Sequence, residues 1–391
     1  MILAIDVGGT KLAAGLVAGD GTVTEPRRAA TPQGADAETL WRALADLVAP
    51  FAGRCDGVGV GCGGPLSWPD GEVSPLNIPG WRGFPLRARL AATFPSVPVR
   101  VHNDAVCLAV AEHWRGAGQG SDDMLGMVVS TGVGGGLILN GRLHHGRTGN
   151  AGHIGHVVVE QAGGPRCGCG GHGCLEAVAR GPALVTWALE QGWVPRAVGR
   201  GTDGRRPEAM GSGTDGRRPE AMGSGTDGRR PGAVGSGRSV AERHGGPARA
   251  EDGGGVLTAR SVTSQDTGVD ASVGGAYPED RPVTARQLAA DARAGDAVAS
   301  RAMRRAGRAL GVAIASATHL CDLDVITIGG GLSQAGETLF GPMEEALREH
   351  ARLGFARRVK LLPAALGQES GLIGAAALLL AGDTYWPARD S

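Results

Sequence analysis

Residues 148–176 read TGNAGHIGHVVVEQAGGPRCGCGGHGCLE, and the three cysteines in that run, spaced C-x-C-x4-C, leave the chain few ways to fold. Thiols so close together on a glycine-rich loop can converge on a single point. Zn²⁺ takes four tetrahedral nitrogen and sulfur ligands, so Cys167, Cys169 and Cys174 call for one more donor nearby. His156 and His153 stand ahead of the loop, and His172 stands inside it. A closed set of three thiolates and one imidazole leaves no open position for chemistry, which makes such a metal structural. Ordinary loop thiols, or a disulfide with one cysteine left over, are the other readings. A disulfide would be strained in so tight a run, whereas a tight loop suits a metal.

The N-terminal residues carry a second signal. An apolar run over residues 2–7 contains Asp6, passes through Gly8, Gly9, Thr10 and Lys11, and resumes over residues 12–17 before a turn at Gly19, Asp20 and Gly21. This spacing predicts a hairpin with a glycine-rich tip. Backbone N–H groups at such a tip can approach an anion, Thr10 adds a hydroxyl, and Asp6 can hold a hydrated cation. The spacing G-x4-G-K-[ST] is absent, so the tip is not a P-loop. Residues 124–130 predict a strand, followed by a loop of Thr131, Gly132, Val133, Gly134, Gly135 and Gly136 and a short strand over 137–139. Two such hairpins can close on a triphosphate from both sides, which neither could do alone.

Between them, apolar residues at helical spacing (Leu40, Leu44, Leu47, Val48) predict a helix over 36–51, and residues 57–61 read as a buried strand. Turn-rich segments follow at 63–65 and 77–81, the second opening on Asn77. A strand over 97–103 then delivers Asn103 and Asp104 to the start of a helix over 105–114. A carboxylate in that place is by default a helix cap. At a cleft between domains it can also reach a substrate hydroxyl as general base. Residues 181–193, 284–294 and 297–320 predict helices, and 324–328 a buried strand ending in Gly329, Gly330 and Gly331. A glycine triplet there lets a flat ring or a ribose lie against backbone. A helix over 335–351, a strand over 359–362 and a helix over 370–381 complete an alternation of strands and helices that marks an α/β protein.

Residues 194–282 break the pattern. They are rich in Gly, Arg, Ser and Asp and hold a twelve-residue repeat, TDGRRPEAMGSG at Thr202 and Thr214 and TDGRRPGAVGSG at Thr226. Such a stretch buries too little apolar surface to offset its ordering entropy, so disorder is expected. Over the whole chain the 42% hydrophobic composition is ample for a core, and 39 basic against 39 acidic residues give no pull toward nucleic acid or an anionic membrane. Cys55, Cys62, Cys107 and Cys321 sit in apolar stretches as small core residues, which suits a reducing compartment. With a strand at residue 2, no basic leader and no apolar run of ~18 residues, a cytoplasmic protein is expected.

GNAGHIGHVVVE followed by CGCGGHGCLE resembles the signature of the ROK family of sugar kinases, repressors and open reading frames, roughly AGExGH and then CxCGxxGCxE. The resemblance spans both ends of the chain and fails in the 194–282 insertion. A Glu is usual in the family where this chain has His153. The resemblance implies an actin-like ATPase (ribonuclease H-like) fold of two lobes with a central cleft: residues 1–116, with a C-terminal helix in 365–391 packing back on them, and residues 117–193 with 283–364. It implies transfer of the ATP γ-phosphoryl, with Mg²⁺, to the primary hydroxyl of a glucose-like hexose or of a hydroxymethyl C7-cyclitol of valiolone or valienone type. Ordinary glucokinase and kanosamine kinase activities are the alternatives. VHNDA matches the family's NDA motif, which makes Asp104 the general base. Asn77, Asn103, His153, His156 and Glu176 would hold the sugar. Asp6, Gly8, Gly9, Thr10, Lys11, Thr131, Gly132 and Gly134 would hold phosphate, and Gly329, Gly330 and Gly331 the adenosine. His156 would join Cys167, Cys169 and Cys174 on a structural Zn²⁺, and a homodimer is expected. The family's DNA-binding members need a helix-turn-helix ahead of the first strand, which here begins at residue 2, so a kinase is expected over a repressor. A non-catalytic sugar-binding protein is the remaining alternative.

Overall fold

Strands Ile2–Val7, Lys11–Val17 and Val23–Ala30 form an antiparallel meander, and Val58–Cys62 and Val99–Asn103 extend it in parallel from the Ile2–Val7 side. The second sheet repeats this plan. Met124–Val129, Val133–Leu139 and Arg142–Leu143 make its meander, and Val325–Gly329 and Lys360–Pro363 its parallel extension. Strands with both faces covered read as near-continuous apolar runs, as VGVGC and VITIG do, and both are buried at every residue. Val23–Ala30 lies at a sheet edge and carries Glu25, Pro26, Arg27 and Arg28 there, residues that discourage further pairing. The computed structural model describes residues 1–196 and 283–386. The disorder expected for 194–282 therefore falls, from residue 197 on, outside the described residues.

Two central helices pack so closely that their contact needs small residues. A Cβ at Gly374, in helix Ser370–Leu380, would stand 1.7 Å from the carbonyl oxygen of Cys107 in helix Asp104–Arg115. Helix Ser370–Leu380 also lies on the first sheet, where a Cβ at Gly59 would meet the Ala375 carbonyl oxygen at 1.9 Å. Helix Asp104–Arg115 reaches the second sheet through its small residues. A Cβ at Gly134 would come within 2.7 Å of Ala105, and one at Gly136 within 2.8 Å of Val106. This corrects the loop expected to run through Gly136: the strand begins at Val133, and its glycines serve the approach of a helix.

Other boundaries move by one to three residues. Asp36 caps helix Ala37–Val48, whose buried stripe is Leu40, Leu44 and Val48, and residues 49–51 tighten into a 3₁₀ turn. The helix expected from 335 starts at Glu337, after a 3₁₀ turn over Gly331–Ala335. Cys62 and Cys107 are buried as expected, but Cys55 and Cys321 are only half-buried. Helices Gly181–Glu190 and Ala285–Arg293, on either side of the insertion, are tied together. Asp291 Oδ2 accepts from Trp193 Nε1 and from Arg196 N, both at 3.1 Å, and Gln287 Nε2 donates to Arg196 O at 2.7 Å. Among the described residues no helix is long and apolar enough to cross a membrane.

Candidate active site and metal cluster

Strands of both sheets end at one cavity. Ile2–Val7 brings Asp6, Val99–Asn103 runs into Asp104, and Val325–Gly329 ends at the glycine triplet. The cavity measures about 510 Å³ and is lined by Asp6, Lys11, Asp104, Gly329, Gly330 and Gly331. Arg286, Gln334 and Gln368 line it too, and no motif singles them out. The first hairpin tip is braced from behind: Thr31 Oγ1 donates to Gly8 O at 2.7 Å and Gln33 Nε2 to Gly9 O at 2.8 Å. Gly8's own N–H bonds Lys11 O at 3.0 Å, so that amide is engaged inside the hairpin. Thr10 and Thr131 are exposed at their tips. Ser130, rather than Thr131, Gly132 or Gly134, lines the cavity from the second hairpin.

Two carboxylates share the cavity floor. Burial first, then the neighbouring Asp104 charge, pushes Asp6 up to about 6, against a downward pull from Lys11. Burial likewise raises Asp104, with Glu176 adding to the effect. A divalent cation fits such a pair, since hard oxygen donors with few other protein ligands are what Mg²⁺ takes beside phosphate. Without a cation the fold favours neutral Asp6. Its stabilisation is therefore full below the usual 3.8 and is lost as pH rises through about 6. The span corresponds to about 3 kcal/mol. The melting temperature of metal-free Asp6→Asn, measured relative to wild type, is expected to climb between about pH 4 and pH 7. A constant difference across that range would mean Asp6 titrates normally.

Gly64 brings Asn103 and His153 together. A Cβ there would stand 2.9 Å from Asn103 Nδ2 and 3.1 Å from His153 Cε1. Asn103 divides its amide: Oδ1 caps the helix, accepting from Ala105 N and Val106 N, and Nδ2 faces Gly64. The cap is thus Asn103, and Asp104 is the first helical residue. His153 Nε2 is buried with no hydrogen-bond partner, the condition of a polar atom awaiting a ligand. Asn77 is exposed and packs on the first hairpin, where a Cβ at Gly9 would meet its Nδ2 at 2.8 Å. Glu176 Oε2 accepts from Val133 N at 2.9 Å, which ties the end of the cysteine loop to the second hairpin.

The cysteine loop assembles as a four-donor cluster. Cys167 Sγ lies 3.6 Å from His156 Nδ1, Cys169 Sγ lies 3.7 Å from Cys174 Sγ, and all four donor atoms fall within 4.8 Å of one another. Tetrahedral ligands on zinc stand about 3.5–3.8 Å apart, so the donors already mark the corners of such a site. Burial first, then the Cys169 and Cys167 sulfurs, pushes the Cys174 thiol up to about 12; a cation would let all three sulfurs be thiolates. Among the described residues, His156 completes this cluster, and neither His153 nor His172 joins it.

A model of the ROK family matches residues 2–204 and 259–381. The chain belongs to the ROK family. Between the two matched parts, residues 205–258 hold the second and third repeats and most of the first. The ROK chain is 28% identical over 382 residues to a glucokinase of Thermotoga maritima, covering 97% of this chain and 96% of that one. It is 40% identical over 189 residues to an N-acetylmannosamine kinase of Escherichia coli O1:K1, covering 48% of this chain and 63% of that one. Its structure is similar to that of a ROK glucokinase from Streptomyces griseus in complex with glucose and AMPPNP, with a TM-score of 0.66 and 28% identity. That likeness covers 96% of this chain and 98% of the other. The fold is the actin-like ATPase fold, and this ROK protein is an ATP-dependent sugar phosphotransferase.

Sequence reasoning missed a histidine that positions Asn103. Asn103 N donates to His102 Nδ1 at 2.8 Å, and His102 Nε2 lies 3.0 Å from His145 Nδ1. A backbone N–H can only donate, so the His102 proton sits on Nε2 and points to His145. Burial first, then His145 and His153, holds His102 down to about 3, which keeps it neutral. A buried histidine within a strand, one residue before the NDA pair, was the available signal.

Proposed function

We propose that this ROK protein transfers the γ-phosphoryl of ATP to the primary hydroxyl of a neutral ring, either a glucose-like hexose or a hydroxymethyl C7-cyclitol of valiolone or valienone type, and works as a homodimer. Asp104 accepts the hydroxyl proton as that oxygen attacks the γ-phosphorus, and the bond to the ADP oxygen breaks. Asn103, His153, Glu176 and Asn77 hold the ring, and Lys11 with the hairpin amides meets the phosphates, so catalysis is mostly positioning and electrostatics. Asp6 would hold Mg²⁺, which neutralises phosphate charge when bound. Zn²⁺ on His156, Cys167, Cys169 and Cys174 would be closed to substrate and would shape the acceptor side.

His153 Nε2, buried and unpartnered, carries the choice of acceptor. An imidazole offers a neutral ring one donor or one acceptor, where the Glu usual in the family offers two acceptors and a negative charge. A hydroxyl left unpaired in a buried site costs about 1–3 kcal/mol, and an amino sugar's cation loses its counter-charge. The likeness to glucokinases supports glucose beside the cyclitols. The test compares kcat/KM for glucose, kanosamine and a valiolone-type cyclitol on wild type and on His153→Glu. Kanosamine is expected to be poorest for wild type, and His153→Glu to gain roughly tenfold toward glucose or kanosamine. A wild type preferring glucose at least ~10-fold over the others, with no gain from His153→Glu, would leave an ordinary glucokinase.

A further inference from the structure

Helix Asp104–Arg115 carries more than Asp104. Asp104, Leu108 and Glu112 recur at intervals of four and share one face of the helix. The first two line the 510 Å³ cavity. Glu112 lies deeper, with 0% of its surface exposed, and both carboxylate oxygens are engaged by backbone amides. Oε2 accepts from Ala117 N and Ala365 N, each at 2.9 Å, and Oε1 accepts from Leu366 N at 3.0 Å. Ala365 and Leu366 belong to the segment that follows strand Lys360–Pro363 and that, together with Pro363, supplies Ala364, Gly367 and Gln368 to the cavity wall. One carboxylate therefore joins the nucleotide side of the cavity to the helix that presents the base. Bonds to a charged acceptor are the strong kind, and three on one buried group fix both partners.

We propose that Glu112 is a positioning residue for phosphoryl transfer, holding residues 363–368 against the catalytic helix so that the bound nucleotide lies in line with Asp104. This rests on the phosphotransferase reading, and it adds a residue that touches neither substrate. Glu112→Gln keeps the shape but turns one oxygen into a donor, which must then face a backbone N–H. The wall segment is freed on one side while the acceptor pocket, built from Asn103, His153 and Glu176, is left alone.

The experiment titrates Mg²⁺·AMPPNP and, separately, glucose into wild type and Glu112→Gln by calorimetry, with kcat and KM for ATP measured in parallel. Glu112→Gln is expected to weaken AMPPNP binding and raise KM for ATP roughly tenfold or more, with glucose affinity changed less than about twofold. A second variant, Leu366→Pro, deletes the amide that Oε1 receives at a residue whose φ of −87° lies near the proline range, and leaves the carboxylate intact. It is expected to weaken AMPPNP binding in the same way. If Glu112→Gln loses glucose affinity and melting temperature together with nucleotide affinity, and Leu366→Pro leaves AMPPNP binding unchanged, Glu112 only holds the core together and the proposal is overturned. Equal AMPPNP affinity in wild type and Glu112→Gln overturns it too. A wild type with no nucleotide affinity overturns the phosphotransferase reading itself.

Discussion

Asp104→Asn is expected to lower kcat by ~10²-fold or more while leaving glucose affinity and the fold in place. The helix does not depend on Asp104 for its cap, because Asn103 Oδ1 already receives Ala105 N and Val106 N. An asparagine can still accept the Ala105 N–H that Asp104 Oδ1 takes at 2.8 Å. Burial, then Glu176, makes the charged form of Asp104 unfavourable, so removing that charge should leave the melting temperature level or higher. On the proposed mechanism, what the variant loses is the capacity to take a proton from the attacking hydroxyl. Rapid-quench measurement of the chemical step, beside glucose titration, separates the two effects. A variant turning over within about tenfold of wild type would assign the base elsewhere.

Cys169→Ser should have the second large effect. Protein purified without chelator is expected to carry one zinc per chain, and the variant to lose it, because three remaining ligands cannot hold the ion against local unfolding of the loop. The loop is tied to residues 157–159: Leu175 N donates to Val157 O at 2.8 Å and Val159 N donates to Gly173 O at 2.9 Å. Glu176 follows directly and bonds Val133 N. Loss of metal should therefore raise KM for the sugar by about tenfold or more, with KM for ATP much less affected. Elemental analysis gives the first readout and steady-state kinetics the second. Wild-type protein without zinc would remove the metal and leave the loop an arrangement of thiols.

The parts of this fold that were legible in the sequence are those fixed by local chemistry. The helix Ala37–Val48 was of this kind, since Leu40, Leu44 and Val48 recur at helical spacing and form its buried stripe. So was the cysteine cluster, since C-x-C-x4-C confines its donors whatever the rest of the chain does. Tertiary demands were not legible. Gly134, Gly135 and Gly136 look like a loop because glycine usually means a turn, yet Ala105 and Val106 lie against two of them and a strand results. Glu112, in the run LAVAEHWR, reads as a surface residue of an amphipathic helix; its partners Ala365 and Leu366 are 253 and 254 residues away. Arg286 reaches the cavity from helix Ala285–Arg293 and Gln334 from the 3₁₀ turn Gly331–Ala335, and no local pattern marks either.

The bonds among Trp193, Arg196, Gln287 and Asp291 mean that the chain departs and re-enters the body of the protein at nearly one point. All that the fold asks of whatever lies between is that its two ends meet. For a connecting chain with no fold of its own, that demand grows by only about 0.6 kcal/mol with each doubling of length. For a connection of that kind, growth of the gene at this place would be almost invisible to selection on stability. Tandem copying of a twelve-codon unit, the origin suggested by the three successive repeats, would meet little resistance from the enzyme around it.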